Sequence, residues 1–404
     1  MDYTGYGMMT DRHKGNGRMS KPWDIFCKVI DNFGDAGVCW RLARQLAAEY
    51  GLGVRLWIDA PEALAPLVPD FDREARVQQR AGVEVHRWPQ PWVEVQPGRV
   101  VIEAFGCALP DTLLEAMARC DPAPVWLNLE YLSAEPWVEG HHGLPSRHPR
   151  LPLTKQFFFP GFTPATGGLL RERDLLARRD AFHGDLAARL RLWKTLGLPV
   201  EPTGRKVSLF CYPESPVLEL LQAWSAGTEE IFCLVPEGPV AAACASFWGR
   251  TALPGGAQEH RGALTLSVFP FLPQEVFDLL LWACDLNFVR GEDSFVRAQW
   301  AARPMIWQPY RQGDNAHLAK LAAFLARQQA YFPESAAKAL ADLTHAWSGE
   351  GGVREAWLRF AAQGEAYAPG AEAWASQLAG QRDLCGQLVD FADKMAIMRG
   401  SPSL

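Results

Sequence analysis

The sequence lacks several features that would place it in a specialised class of protein. Its nine cysteines stand singly along 404 residues, without a CxxC pair, which favours reduced core thiols over a disulfide framework or a zinc site. Basic residues are not in excess, since the formal net charge is −6, and this argues against a broad nucleic-acid-binding surface. No apolar run is long enough to cross a bilayer. These absences predict a cytoplasmic globular protein whose partners include neither nucleic acid nor membrane.

Signals for a metal site, a nicotinamide cofactor or a secretion signal are also missing. No His and Asp residues cluster at ligand spacing, and the paired His141 and His142 are more typical of a surface turn. The first glycine-containing turn has the sequence DNFGDAG and not GxGxxG, and no YxxxK pair occurs where expected, which argues against a dehydrogenase or sugar epimerase. Residues 1–20 have no apolar core and predict a flexible tail.

The chain contains enough apolar residues, 48% of the total, for two hydrophobic cores. Strand and helix signals alternate before about residue 150 and again after about residue 205, and a charged, helix-forming stretch lies between them. This pattern predicts an α/β protein with two Rossmann-like domains facing a central cleft. The predicted parts are the tail 1–20, an acceptor-side domain 21–170, a helical connection 171–204, a nucleotide-sugar-binding domain 205–370, and a C-terminal segment 371–404 whose helix returns to the first domain.

The stretch VIDNFGDAGVCWRL, residues 29–42, places Asp31 and Asp35 in a glycine-containing turn between a predicted strand (24–30) and a predicted helix (37–51). The carboxyl ends of strands are where α/β sheets carry their sites. Two carboxylates would repel a diphosphate, so we expect this turn to face the other reactant. Helix N-capping by Asp35 and an Asx turn at Asp31 remain structural alternatives.

A second informative stretch, residues 286–321, begins with a strand that ends at a tight Arg290-Gly291 turn. Ser294 is placed to cap the following helix, whose first backbone amides could hold a pyrophosphate. The order of glycine turn, capped helix, second strand and acidic-amide pair resembles the donor-nucleotide signature of GT-B glycosyltransferases. An ordinary βαβ crossover accounts for these features equally well.

Five motifs taken together resemble the elongation factor P arginine rhamnosyltransferases, the EarP family: FCKVIDNFGDAGVCWRLARQLA, NLEYLSAE, FFFPGFTPATGGLLRE, SLFCY and VRGEDSFVRAQWA. The resemblance extends from about residue 22 to the C-terminus. It implies an inverting, metal-independent GT-B enzyme that transfers L-rhamnose from dTDP-β-L-rhamnose to an arginine of bacterial elongation factor P. That modification supports translation of polyproline stretches. No cofactor is implied beyond the donor substrate.

The resemblance also implies roles for individual residues. Asp31, Asp35 and Glu292 match the catalytic carboxylates, with Asp35 favoured as general base. The implied donor-binding residues are Phe210 and Phe271 on either face of the thymine, Gln274 at an edge of the base, and Arg290, Glu292, Asp293 and Ser294 around the diphosphate. From the residues alone, Phe210 and Phe271 would both be assigned to the hydrophobic core.

Arginine is a demanding nucleophile, and its chemistry restricts what these carboxylates can do. Full deprotonation of a guanidinium at neutral pH would cost roughly 7–9 kcal/mol. Carboxylates can instead bind the planar group, align one nitrogen with the anomeric carbon and accept the proton late, and such positioning contributes roughly 7–11 kcal/mol. A GT-B enzyme with another acceptor, and a non-catalytic partner of elongation factor P, remain alternative interpretations.

Overall fold

The computed structural model of the chain describes residues 21–89, 91–92, 94–311 and 313–398. The predicted flexible tail, residues 1–20, lies outside the described residues, as do the last six residues of the predicted C-terminal segment. Within the described ranges, the strands form two separate sheets with helices on their faces. The predicted α/β class is therefore confirmed.

The first sheet is built from eight strands of the described chain and defines what we call the first domain. They are β1 (Trp23–Cys27), β2 (Val54–Ile58), β3 (Val77–Arg80), β4 (Val83–Arg87), β5 (Val100–Ala104), β6 (Val125–Leu129), β7 (Pro145–Arg147) and β8 (Thr154–Phe158). Their order is β3-β4-β2-β1-β5-β6-β8-β7, with β3 and β7 antiparallel to their neighbours. β1 and β5 are buried along their whole length, which explains why their sequences are mainly apolar, with Asp24 and Glu103 as the exceptions.

Helices α1 (Asn32–Tyr50), α2 (Asp111–Ala118) and α3 (Trp137–His141) belong to the same domain. Helix α1 follows β1, packs on the sheet and begins at Asn32, five residues earlier than the sequence predicts. Gly34, which was predicted to lie in the turn, is therefore helical, as is Gly37. Their lack of a Cβ serves close packing, because a Cβ on Gly34 would lie 2.6 Å from the Asp31 carboxylate.

The second sheet defines the second domain, with strands β9 (Arg205–Leu209), β10 (Ile231–Pro236), β11 (Gln258–Arg261), β12 (Leu264–Phe269), β13 (Leu286–Arg290) and β14 (Met305–Gln308). Their order is β11-β12-β10-β9-β13-β14, and β11 alone among these described strands is antiparallel. The helices of this half of the chain are α6 (Val217–Ser225), α7 (Pro239–Ala245), α8 (Gln274–Ala283), α9 (Asp293–Ala301), α10 (Ala316–Gln328), α11 (Glu334–Trp347) and α12 (Val353–Ala361).

The remaining helices lie across both domains. They are α4 (Leu175–Gly184) and α5 (Leu186–Thr195) in the connection, and α13 (Ala368–Ala379) and α14 (Leu384–Met398) at the C-terminal end. α4 and α5 pack on α8, α13 packs on α9, and α14 packs on α1 and β6 of the first domain. A continuous apolar core consequently extends from the first sheet through these helices to the cleft face of the second domain.

The carboxyl ends of the central strands of both sheets point towards the cleft. β1 leads into α1 on one side, and β13 leads into α9 on the other. This is the position at which open α/β sheets hold their ligands. No helix of the described residues is both long and apolar enough to cross a bilayer.

Candidate active site

Asp35 lies in the first turn of α1, and its carboxylate turns back towards the end of the preceding loop. Oδ2 accepts hydrogen bonds from the backbone amides of Ile30, at 2.8 Å, and of Asp31, at 3.0 Å. The side chain is 2% exposed, and burial raises its pKa, which the two amides partly offset. The N-capping alternative for Asp35 is wrong, because Asp31 occupies the N-cap position.

Asp31 reaches across the cleft to the second domain. Its Oδ2 accepts a hydrogen bond from the Tyr212 hydroxyl at 2.8 Å, and its Oδ1 lies 3.5 Å from Nη1 of Arg290. Gly291, at φ +56°, makes this approach possible, since a Cβ there would lie 2.4 Å from Oδ2. The Asp31 side chain therefore joins the two domains and does not form the Asx turn considered above.

The guanidinium of Arg290 is held between two aromatic rings at the end of β13. Its central carbon lies 4.8 Å from the centre of the Phe210 ring and 4.4 Å from that of Tyr212. Among the described residues, its buried Nε has no hydrogen-bond partner. The group thus keeps an unused donor beside the start of α9.

The start of α9 differs from the prediction at Ser294. Glu292 is the N-cap residue, and Ser294 lies within the helix, where its hydroxyl donates to the carbonyl of Arg290 at 2.5 Å and accepts from the Arg290 amide at 3.1 Å. Ser294 as the helix cap is therefore wrong, because the helix begins two residues earlier than its hydroxyl would require. Its bonds hold the main chain of Arg290 instead.

Glu292 is the second carboxylate that bridges the domains. Its Oε2 accepts a hydrogen bond from the backbone amide of Leu132, in the loop after β6, at 3.0 Å. Burial raises the pKa of Glu292 to about 8, whereas the Leu132 amide and the ammonium of Lys320 act in the opposite direction. This carboxyl is therefore largely protonated at neutral pH in the structure described here.

The side chains of Asp293 and Gln274 bind each other and the first domain. Asp293 accepts from Nε of Arg41 at 2.8 Å and from Nε2 of Gln274 at 3.1 Å. The same Nε2 donates to the carbonyl of Gly37 at 3.1 Å. The negative charge of the Asp293 carboxylate is thus paired with Arg41. The prediction that Asp293 contributes to diphosphate binding through its backbone amide, rather than through its charge, is compatible with this pairing. Within the described chain, Oε1 of Gln274 is buried without a partner.

Two adjacent cavities occupy the cleft. The first, whose volume including space open to solvent is about 590 Å³, is lined by Asp31, Phe210, Phe271, Gln274, Arg290, Asp293 and Ser294 among others. The second, whose volume including space open to solvent is about 780 Å³, is lined by Asp31, Asp35, Tyr131, Glu292, Tyr310 and Lys320 among others. Asp31 lines both, so it marks where the two cavities meet.

Phe210 and Phe271 are both half-buried and line the first cavity. The Phe271 ring lies 4.8 Å from that of Phe33, and the Phe210 ring 5.5 Å from that of Phe277. The structure thus brings all of the predicted donor residues except Glu292 to one cavity, and the three predicted catalytic carboxylates to the neighbouring one. Their individual roles remain predictions.

Several residues in or beside the two cavities were not singled out by the sequence. Tyr131 stacks on Phe105 at 4.4 Å, and the ammonium of Lys320 lies 5.7 Å from the Tyr131 ring centre. Tyr212 and Tyr310 pack edge to face at 5.8 Å. Nothing in the neighbouring sequence marks Tyr131, Tyr212, Tyr310 or Lys320 as a site residue. Their position at the cleft is seen only in the structure, where the two domains lie together. No group of three or more His, Cys, Asp or Glu residues in the described chain is arranged to hold a metal ion.

Two Rossmann-like domains with an aromatic-lined cavity and a carboxylate-lined cavity between them define a GT-B glycosyltransferase. A model of the family described as Elongation-Factor P (EF-P) rhamnosyltransferase EarP matches residues 23–393. The chain belongs to this family, and the resemblance stated from its motifs is confirmed.

Curated relatives and a solved structure agree with this assignment. The chain is similar to the protein-arginine rhamnosyltransferases of Pseudomonas putida, with 48% identity over 92% of this chain and 99% of the relative, and of Pseudomonas aeruginosa, with 46% identity over 91% and 98%. A structure described as the basis for EarP-mediated arginine glycosylation of translation elongation factor EF-P matches with a TM-score of 0.66 and 36% identity, covering 92% of this chain and 98% of that one. The chain is thus a glycosyltransferase of the protein-arginine rhamnosyltransferase type.

Proposed function

We propose that the protein transfers L-rhamnose from dTDP-β-L-rhamnose to one arginine side chain of elongation factor P, with inversion at the anomeric carbon and without a metal ion. The proposed acceptor and reaction are those of the family, the elongation factor P rhamnosyltransferases, and of the solved relative, which glycosylates an arginine of that factor. We propose the cytoplasm as the location of this reaction. Its product supports ribosomes as they translate polyproline stretches.

The observation that carries the proposal is the position of Asp31 where the two cavities meet. On one side lie Asp35 and Glu292, which suit a cationic planar acceptor. On the other side lie aromatic rings and the start of α9, which suit a pyrimidine nucleotide and its diphosphate. A guanidinium bound in the second cavity would meet the sugar of a donor bound in the first.

The first cavity has separate parts for each portion of the donor. Phe210 and Phe271 would stack on the thymine, and the unpartnered Oε1 of Gln274 could accept a hydrogen bond from an N–H of the base. Arg290, with its unused Nε, and the first amides of α9 would bind the diphosphate. Because the Asp293 carboxylate faces Arg41, its charge is turned away from that anion.

In the proposed reaction, an Nη atom of the acceptor arginine attacks the anomeric carbon from the face opposite the diphosphate. The new N–C bond forms as the C–O bond to the diphosphate breaks, and a proton passes from Nη to Asp35. Burial makes Asp35 a stronger base than an exposed aspartate. Asp31 and Glu292 hold the guanidinium in line, and Arg290 stabilises the departing diphosphate.

The decisive experiment is intact-mass spectrometry of purified elongation factor P after incubation with the protein and dTDP-β-L-rhamnose. We expect a mass gain of one deoxyhexose, which peptide mapping should locate on a single arginine. Absence of a mass gain, together with thermal stabilisation by dTDP-sugars, would indicate a glycosyltransferase with a different acceptor. If no sugar nucleotide stabilises the protein either, a non-catalytic partner of elongation factor P becomes the better interpretation.

Replacing Phe271 by alanine should weaken donor binding more than it slows transfer. Loss of one stacked face of the base costs about 1–3 kcal/mol in comparable sites, so we expect the Kd for dTDP to rise by about 5- to 150-fold. Isothermal titration calorimetry measures this directly. Phe247→Ala is the matched control, because Phe247 is also half-buried in the second domain but stacks with Arg261 outside both cavities. Equal dTDP affinity in the two variants would contradict the proposed base site.

The ionisation of Glu292 should make acceptor use depend on pH. Its pKa of about 8 leaves it neutral below that pH, and a bound guanidinium favours the ionised form. We therefore expect kcat/KM for elongation factor P to rise with pH up to about 8 and to level off above it. Glu292→Gln should flatten the slope in this range. A wild-type profile that is already flat below about pH 8 would contradict a protonated Glu292 in the free enzyme.

A further inference from the structure

A cluster of charged side chains lies between the domains, next to the first cavity. Its members are Arg41 of α1, Asp278 of α8, Asp293 and Arg297 of α9, and Glu172 of the connection. Arg41, Asp278 and Arg297 are 3%, 2% and 1% exposed. We call these five residues the interdomain ionic cluster. Their formal charges, two positive and three negative, nearly balance, as buried charges must.

Arg41 supplies the first domain's part of the cluster. Its Nε donates to Asp293 at 2.8 Å, and its two Nη atoms donate to the two oxygens of Asp278 at 3.1 and 3.0 Å. One planar guanidinium of the first domain therefore binds two helices of the second domain at once. A forked, rigid group of this kind fixes orientation as well as distance.

Arg297 completes the cluster from the second domain. It donates to Asp278 from Nε at 3.0 Å and from Nη2 at 2.6 Å, and to Glu172 from Nη1 at 2.8 Å. Asp278 is thus shared by two arginines, one from each domain. Glu172 adds the connection between the domains, and the adjacent arginines lower its pKa to about 2, although burial opposes this.

The backbone of α1 comes unusually close to the second domain beside the cluster. A Cβ on Gly37 would lie 3.0 Å from Nε2 of Gln274 and 3.2 Å from Oδ2 of Asp293. The Gly37 carbonyl also accepts a hydrogen bond from that Nε2. The contact therefore leaves little room for α1 to slide along α8 and α9.

This contact joins the N-terminal parts of α1 and α9, which carry the residues of the proposed reaction. Arg41 follows Asp35 by six residues, which is about 9 Å along a helix, and its partner Asp293 is the first residue of α9. We infer that Arg41 is a positioning residue, which holds the carboxylates at the start of α1 at a fixed separation from the start of α9. The separation would set the distance between acceptor and donor, and in this respect the inference rests on the proposed function.

The test compares Arg41→Gln and Arg41→Lys with Arg44→Gln. Arg44 is a matched control, because it lies one turn further along α1 and pairs with Glu275 of α8 across the same boundary, but this pair is 32% and 44% exposed. Such exposed pairs contribute little. Arg41→Lys keeps the positive charge but loses the planar guanidinium with its several donors. If Arg41→Gln fails to fold, Arg41→Lys is used alone to test the inference.

The first readout is the distance between two nitroxide labels, one on each domain. This measurement does not depend on enzymatic activity. Labels would be placed at the exposed positions Glu115→Cys and Arg354→Cys, with the partly exposed Cys120 replaced by serine. We expect a narrow distribution by pulsed electron paramagnetic resonance for the parent and Arg44→Gln, and a broader one for the Arg41 variants. An unchanged distribution in the Arg41 variants would overturn the inference, whatever reaction the protein catalyses.

The second readout separates positioning from a general loss of folding. Calorimetric titration with dTDP should give the same stoichiometry for the Arg41 variants as for the parent, while kcat for rhamnosyl transfer falls by about 10²-fold. A kcat within about threefold of Arg44→Gln, or a dTDP stoichiometry that falls in step with kcat, would overturn the positioning role. Failure of the parent itself to bind dTDP or to transfer rhamnose would refute the proposed function, and the label distances would still decide the role of Arg41.

Discussion

Asp35→Asn is expected to abolish turnover, lowering kcat for arginine rhamnosylation by about 10³-fold or more, while the Kd for dTDP-rhamnose stays within about threefold. The amide oxygen of asparagine can still accept hydrogen bonds from the amides of Ile30 and Asp31, which Oδ2 of Asp35 accepts in the structure. The start of α1 should therefore keep its conformation. Asparagine cannot take the proton that leaves the arginine, so the loss falls on the chemical step.

Single-turnover kinetics with elongation factor P and calorimetry with dTDP-rhamnose would measure the two quantities separately. Asp59→Asn is the appropriate control. The Asp59 carboxylate accepts a hydrogen bond from the backbone amide of Val29, in the adjoining loop, at 2.9 Å. Asp59 lines neither cavity. Near-normal turnover by Asp35→Asn would remove Asp35 as the general base and leave that role to Asp31 or Glu292.

The second large effect is expected at Arg290, whose replacement by methionine should lower kcat/KM for the donor by about 10³-fold. Methionine fills much of the space between Phe210 and Tyr212 but cannot balance the negative charge that develops on the departing diphosphate. It also removes the cationic partner of Asp31, at 3.5 Å, and leaves only the Tyr212 hydroxyl. Both losses act on the transition state, so kcat should fall.

Steady-state kinetics at varied dTDP-rhamnose would test this expectation. Arg303→Met is the matched control, because Arg303 is also partly buried in the second domain and, within the described chain, its Nε also lacks a partner, yet it lines neither cleft cavity. A loss confined to KM would show that Arg290 binds the donor equally in the ground and transition states. A loss no larger than that of the control would exclude a role at the diphosphate.

The central parallel strands could be predicted from the sequence because each is buried on both faces and therefore mainly apolar. β1, β5, β10 and β13 are examples, and each ends close to where its apolar run ends. The edge strand β11, Gln258–Arg261, was missed, because a polar, exposed strand resembles a loop in sequence. The edge strand β3, Val77–Arg80, was missed for the same reason.

The helix starts show where local rules failed. Glycine is unfavourable in a helix interior, so Gly34 was predicted to lie in a turn and the helix to begin only at Gly37. The structure places both within α1, because a larger residue would clash with Asp31 at the first position and press on Gln274 and Asp293 at the second. Close packing, with Asp31 in one case and with the opposite domain in the other, thus overrode the local preference.

The interdomain contacts could not be predicted from one segment at a time. Tyr212 and Leu132 bind Asp31 and Glu292 from the opposite domain, and nothing in their own segments distinguishes them. Arg41 had a weak signal, since an arginine in the apolar stretch GVCWRLA needs a buried partner. That partner, Asp278, lies 237 positions away in the chain.

The cleft also has consequences for protein engineering. Gly34 and Gly291 surround the Asp31 carboxylate so closely that a side chain at either position would collide with it. Ile30 and Tyr310, by contrast, are 65% and 46% exposed at the rim of the carboxylate-lined cavity. A combinatorial library aimed at new acceptor sequences should therefore keep both glycines constant and vary position 30 first, because Tyr310 packs on Tyr212, whose hydroxyl binds the Asp31 carboxylate.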